Sequence, residues 1–277
     1  MKLFSQTSPL IMGVLNVTPD SFSDGGRFLD RDVAVSHVET MFDEGADIID
    51  IGAESTRPGS QRTPAGEQKH RVIDIISAIR TNYGSKLFVS IDTTLADVAE
   101  AALAAGADII NDISAGRDDP GLVELVADRG CPYIIMHMQG SPETMQQAPD
   151  YEDVVEDIRR FLLDRIDHLQ AIGIDPDNII MDPGIGFGKT REHNLAIIGN
   201  LHRFVDTGFP VLLGASRKQF MGSICQVSQP DQLTGATCAT TVIGVSAGVR
   251  IFRVHDVRAN RQAADVTWEI INAAGKK

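Results

Sequence analysis

The sequence is poor in cysteine, in aromatic side chains and in basic residues, and it has no long apolar run. Each shortage excludes something. The three cysteines, Cys131, Cys225 and Cys238, are odd in number and too widely spaced for a disulfide framework or a metal-ligand pattern, so reduced, packed thiols are expected. Lys and Arg total 25 against 38 Asp and Glu, and the net charge of −13 argues against a nucleic-acid partner, whose phosphates demand a positive face. An acidic chain that binds an anion must do so locally, with a few placed cations. No stretch approaches the ~20 apolar residues that span a bilayer, and residues 1–6 lead into no apolar segment with a cleavage site. No membrane association is expected, and the cytoplasm is the expected compartment.

What the sequence does have is a repeated beat. Seven times an amphipathic helical pattern ends in glycine, at Gly45, Gly84, Gly106, Gly130, Gly173, Gly208 and Gly248, and a short apolar run follows within a few residues. Those runs centre on Ile48–Ile51, Leu87–Ile91, Ile109–Ile110, Tyr133–Met136, Ile179–Met181, Val211–Leu213 and Ile251–Val254, and residues 10–15 supply an eighth. Continuously apolar strands alternating with helices indicate parallel pairing covered on both faces. Eight such units in 277 residues predict one single-domain (β/α)8 TIM barrel over residues 1–277, close to the ~250 residues usual for that fold. The longest stretches without helix or strand pattern, residues 16–30 and 54–66, are expected to be functional loops.

Barrel active sites lie at the C-terminal ends of the strands, and the polar residues fall there. The strands run into Asn16, Glu54, Asp92, Asn111-Asp112, His137, Asp182, Ser216-Arg217-Lys218 and Arg253-Val254-His255. Period-two alternation puts Arg253 and His255 on one face of the last strand, and with Lys218 they make a candidate anion site. Asp92, Asn111 and Asp182 offer acceptors suited to a flat heterocycle rich in N–H donors, because buried carboxylates are costly unless hydrogen-bonded. Any single Asp here also reads as a helix cap, and Arg57 and Arg217 also read as surface charges. His137 is open between core packing and catalysis. The run Gly184-Ile185-Gly186-Phe187-Gly188-Lys189-Thr190 resembles a nucleotide-binding P-loop, but Pro183 stands where the first glycine is required, which excludes it. For Lys218, the adjoining Arg217 favours an electrostatic role over a Schiff base.

These segments, with Met12-Gly13-Val14-Leu15-Asn16-Val17-Thr18-Pro19-Asp20-Ser21-Phe22 and Glu54-Ser55-Thr56-Arg57-Pro58-Gly59, closely resemble the dihydropteroate synthase family over essentially the whole chain. The resemblance implies a folate-pathway transferase that joins 6-hydroxymethyl-7,8-dihydropterin diphosphate to 4-aminobenzoate by an SN1-like path, working as a homodimer. It implies that Asp92, Asn111, Asp182 and Lys218 hold the pterin ring, that Met136, Phe187 and Gly214 line its slot, and that Arg253 stacks on its face. Asn16, Arg253 and His255 would bind the diphosphate, with Mg²⁺ near Asn16. Phe22, Thr56, Arg57 and Pro58, from two loops that close over the site, would join Ser216 and Lys218 around the aminobenzoate. Asp92, Asp182, Lys218 and Arg253 would carry the chemistry. The alternatives are a methyltetrahydrofolate methyltransferase of the same barrel family and a non-catalytic pterin-binding paralogue. Two departures from the family pattern stand out. Ala53 replaces a common glycine and is expected to stiffen the loop after it, and residues 235–250 differ from an alanine-rich version, with Arg250 expected at the start of the last strand, away from the site.

Overall fold

Isoleucine, valine and leucine dominate the short apolar runs, and β-branched side chains fit a pleated surface packed on both faces. In the computed structural model, which describes residues 3–4, 7–18, 27–55, 60 and 62–275, all eight runs are strands. They are β1 (Leu10–Asn16), β2 (Ile48–Gly52), β3 (Phe88–Asp92), β4 (Ile109–Asp112), β5 (Tyr133–Met136), β6 (Ile179–Asp182), β7 (Leu212–Leu213) and β8 (Ile251–Val254). Every pairing is parallel, in the order β6-β5-β4-β3-β2-β1-β8-β7. A single parallel bridge between Met181 and Val211 joins the two ends and closes the barrel.

The helices between the strands are α1 (Arg27–Asp43), α2 (Ala65–Tyr83), α3 (Ala96–Ala105), α4 (Pro120–Arg129), α5 (Val154–Ala171), α6 (Arg191–Gly199), the short α7 (His202–Val205), α8 (Gln219–Cys225), α9 (Thr234–Ala247) and α10 (Val257–Gly275). All seven glycines expected to end helices have positive φ, from 55° to 113°. Helix α1 begins at Arg27, inside the stretch expected to be loop. No helix among the described residues is long and apolar enough to cross a membrane.

Strand alternation divides the interior into two cores. Ile11, Ile49, Ile51, Val89, Ile91, Ile110, Tyr133, Ile135, Met181, Leu213, Phe252 and Val254 face outward and pack on the helices. The alternate residues Leu10, Met12, Ile48, Ile109, Ile134, Ile180, Leu212 and Ile251, with Phe88 against them, form a separate cluster to which every strand contributes. This apolar plug fills the lower barrel. One or two steps further along, the same inward face becomes Asp50, Ser90, Asp92, Asn111, Asp182 and Arg253, so the site stands on a dry floor. Truncating that floor should be costly. Ile134→Ala, at a fully buried position, is expected to lose about 2–5 kcal/mol in urea denaturation, and a loss below about 1 kcal/mol would show the plug to be loosely packed.

Candidate active site

The polar level of the barrel is organised by Arg253. Its Nε donates to Asp50 Oδ2 at 2.7 Å and its Nη2 to Asp92 Oδ2 at 2.9 Å, so one guanidinium spans carboxylates from β2 and β3. Asn111 Nδ2 donates to the same Asp50 oxygen at 3.1 Å, which leaves the Asn111 carbonyl oxygen for a ligand. Asp50 is fully buried, and its Oδ1 has no hydrogen-bond partner among the described residues. Two carboxylates share one cation in a low-dielectric mouth. Burial, and then the neighbouring Asp50 charge, push the Asp92 pKa up to about 7 against the opposing pull of Arg253.

Across the mouth, Asp182 accepts the Gly184 N–H on Oδ1 at 2.7 Å, and its Oδ2 lies beside Gly214. Burial raises its pKa to about 6, although the Gly184 amide, Lys218, Lys189 and Arg253 all favour the carboxylate. Lys218 Nζ sits 4.2 Å from the centre of the Phe187 ring. Burial and then Arg253 pull its pKa down to about 8, with Asp182 and Asp92 opposing. Phe187 packs on Met136, Met138, Met145 and Ile113, an apolar wall beside the polar row. Asn16 Oδ1 and the Asp92 side chain flank Gly52 at the rim.

Lys218 is aimed by a strained turn. Arg217 has φ 58°, a left-handed conformation costly for a side-chain residue, and two contacts hold it there. Its N–H donates to Thr237 Oγ1 at 3.2 Å, and its guanidinium grips Asp256 through Nη2 at 2.7 Å and Nε at 3.1 Å. The neighbouring Ser216 Oγ accepts the His255 N–H at 3.2 Å and lies 2.9 Å from His255 Nδ1. Burial, then Arg253 and Arg217, depress the His255 pKa to about 3, so the ring is neutral and His255 adds an N–H rather than a charge. With the hydroxyl donating to Nδ1, that N–H sits on Nε2.

The structure thus brings Asp92, Asn111, Met136, Asp182, Phe187, Gly214, Ser216, Lys218, Arg253 and His255 to one end of the barrel, with exposed Asn16 on the rim. Phe22, Thr56, Arg57 and Pro58 lie outside the described residues. Sequence reasoning missed Asp50, whose signal was a lone acid on the inward face of an apolar strand. It also missed Gln68, whose amide donates to Glu54 Oε2 at 2.9 Å and accepts from Thr93 Oγ1 at 3.1 Å, tying the base of the second loop to β3. Arg217, open between surface charge and site, is a structural brace. His137 is buried against Phe161, and Lys189 Nζ lies 3.1 Å from its Nδ1. Ala53 is buried in the helix-facing core, and Arg250 lies over the Phe4 ring immediately before β8. Thr237, within the divergent 235–250 segment, does reach the site's supports through Arg217.

A barrel whose mouth joins donor-seeking carboxylates to an anion-seeking Arg and Lys suits a ligand with an N–H-rich ring and a charged tail. Residues 12–255 match the family described as "Pterin binding enzyme". The dihydropteroate synthase of Mycobacterium leprae is 45% identical over 269 residues, covering 95% of this chain and 94% of that protein. Among solved structures, the dihydropteroate synthase of Xanthomonas albilineans with 4-aminobenzoic acid has a TM-score of 0.89 at 41% identity, over 96% of this chain and 94% of that one. The same organism's enzyme in complex with 7,8-dihydropteroate has a TM-score of 0.85 at 38% identity, over the same shares. The chain belongs to the pterin-binding enzymes, and within them to the dihydropteroate synthases.

The raised carboxylate pKa has a consequence for folding. Asp92 binds its proton more tightly folded than unfolded, so its own contribution to stability is lost as pH rises from about 4 through 7. Asn cannot titrate. The stability of Asp92→Asn relative to wild type is therefore expected to improve between pH 4.5 and pH 8, read as the change in urea midpoint. A pH-independent difference would show that Asp92 is not strained by burial.

Proposed function

We propose that this protein condenses 6-hydroxymethyl-7,8-dihydropterin diphosphate with 4-aminobenzoate, giving 7,8-dihydropteroate and diphosphate. The observation that carries this reading is the single level of the barrel at which Asp92, Asn111 and Asp182 present acceptors beside Arg253 and Lys218. The relatives' names and the ligands of the Xanthomonas structures support the same assignment.

On this reading the pterin's N–H donors take up the oxygens of Asp92, Asn111 and Asp182, relieving the carboxylates whose pKa values burial raises. The ring lies between the Met136–Phe187 wall and Gly214, with Lys218 at its edge and the Arg253 plane against its face. Loss of diphosphate from the exocyclic methylene leaves a cation that the dihydropterin ring delocalises, an SN1-like path. Asp92 and Asp182 stabilise that cation through preorganised charge, and Arg253, with the Nε2–H of His255, neutralises the leaving group. Among the described residues no group of three or more His, Cys, Asp or Glu is arranged to hold a metal ion. The exposed side-chain oxygen of Asn16 nonetheless fits Mg²⁺, which commonly takes few protein ligands and completes its shell with phosphate oxygens and water. When bound, Mg²⁺ would supply further neutralisation of the departing diphosphate. Ser216 and Lys218, with Phe22, Thr56, Arg57 and Pro58, bound the aminobenzoate. Its amine is already neutral at pH 7, so a strong general base is unnecessary, in keeping with a neutral His255 and a buried His137.

We place the protein in the cytoplasm, a reading supported by its three free cysteines. We also infer a homodimer, supported by the exposed Val242 and Ile243 of α9 and Val266 and Ile270 of the adjoining α10. Light scattering at micromolar protein should give the mass of two chains, and a single-chain mass at all concentrations would refute the dimer.

Mixing the protein with dihydropterin diphosphate, Mg²⁺ and 4-aminobenzoate is expected to release diphosphate and form dihydropteroate. Arg253→Ala should lower the urea midpoint but remain folded by circular dichroism at about 25 °C, and lose about 10²–10³-fold in turnover. Wild-type protein that releases no diphosphate, or that transfers methyl groups to a corrinoid instead, would overturn the assignment. Near-normal turnover in Arg253→Ala would remove Arg253 from the anion site.

A further inference from the structure

The glycine-rich run at residues 184–190 has the composition of a phosphate loop and different wiring. In a phosphate loop the backbone N–H groups point at the anion and the lysine reaches it. Here the Gly184 N–H donates to Asp182 Oδ1 at 2.7 Å, the Gly186 N–H to Asn194 Oδ1 at 2.7 Å, and the Phe187 N–H to Gly184 O at 3.1 Å. Those N–H groups are spent on protein. Lys189 turns inward and is only 3% exposed.

Its Nζ meets three acceptors: Phe187 O at 2.8 Å, His137 Nδ1 at 3.1 Å and His137 O at 3.3 Å. Burial and then Lys189 hold the His137 pKa down at about 2, so the ring is neutral and Nδ1 can accept. Burial also lowers the Lys189 pKa, to about 7, against the pull of the Asp182 charge. The three donors of an ammonium match the three acceptors in number, so the side chain ties the Phe187 carbonyl to His137 at two atoms.

What it fastens is the pterin slot. The run presses on the segment after β5 so closely that a Cβ on Gly184 would stand 2.0 Å from His137 O, and on Lys218 so closely that one on Gly186 would stand 2.9 Å from its Cδ. Two further carbonyls are held as well, Gly186 O by Gln146 Nε2 at 3.0 Å and Gly188 O by the Tyr151 hydroxyl at 2.6 Å. Between these ties stands Phe187, its ring against Lys218 Nζ and the Met136–Met138 wall.

We propose that Lys189 is a positioning residue for the first substrate. By fastening the Phe187 carbonyl to His137, it fixes the Phe187 ring beside Lys218, and it acts on pterin binding through that ring alone. This rests on the reading of the slot under Proposed function.

The test is a double-mutant cycle in the full-length protein with both substrates and Mg²⁺. Lys189→Met is expected to raise KM for dihydropterin diphosphate about tenfold, equivalent to about 1.4 kcal/mol, with KM for 4-aminobenzoate changed less than about twofold. In a Phe187→Ala background, the same substitution should alter the pterin KM less than about twofold, because the ring it positions is gone. An equal rise in both backgrounds, an equal rise in both KM values, or no kinetic change overturns the proposal. If Lys189→Met does not fold, Lys189→Gln runs the same cycle. Failure of both to fold also overturns it, because the lysine would then be required by the fold itself. Wild-type protein run alongside separates the two readings. Wild-type turnover with unresponsive variants removes only Lys189, whereas a silent wild type removes the catalytic assignment and this proposal together.

Discussion

The arrangement on which the site depends is one guanidinium shared by a fully buried carboxylate, Asp50, and a largely buried one, Asp92. Arg253 gives Nε to Asp50 and Nη2 to Asp92, and Asn111 leans on the same Asp50 oxygen. Breaking such a group by removing one partner leaves an uncompensated charge in a low dielectric, which is costly, so its members hold one another in place. Their alignment requires the strand registers that set Val14 beside Asp50, Met12 beside Arg253 and Gly52 beside Asp92. A slip of one residue in any of these strands would turn its polar residues toward the helices.

That group is not neutral within itself. Two acids and one base leave a charge that the buried mouth holds poorly, and Asp92 shows it most. A mouth strained in this way is complementary to something that brings donors and a delocalised positive charge. On the proposed function, the acceptors whose burial is costly once Asp92 ionises are those a pterin cation would satisfy. On that reading, folding and pterin binding thus oppose each other at Asp92.

The barrel was legible because its signals are local. An apolar run, a helical period and a closing glycine each act over a few residues, and all eight strands fell where those signals put them. The mouth was partly legible, since alternation alone places Arg253 and His255 on one face. Asp50 was harder, because its partner Arg253 lies 203 residues away and an acid inside an apolar strand has no local explanation. Lys189 was obscured in another way: Pro183 already ruled out a phosphate loop, but nothing local showed that the lysine turns inward while the glycine N–H groups bond Asp182 and Asn194. Thr237 offered no signal at all. Its hydroxyl matters only because Arg217 adopts a left-handed turn 20 residues earlier.

Gly52 and Gly214 differ from the other glycines around the mouth. Neither has positive φ, and a Cβ built on either would meet its neighbours at ordinary contact distances of 3.5–3.9 Å. The backbone would accept alanine at both places, so folding does not call for glycine there. What these two positions contribute is absence: two gaps in an otherwise toothed ring of inward side chains, one next to Asp92 and one next to Asp182. On the proposed function, those two blanks are where a plate one aromatic ring deep would lie across the barrel.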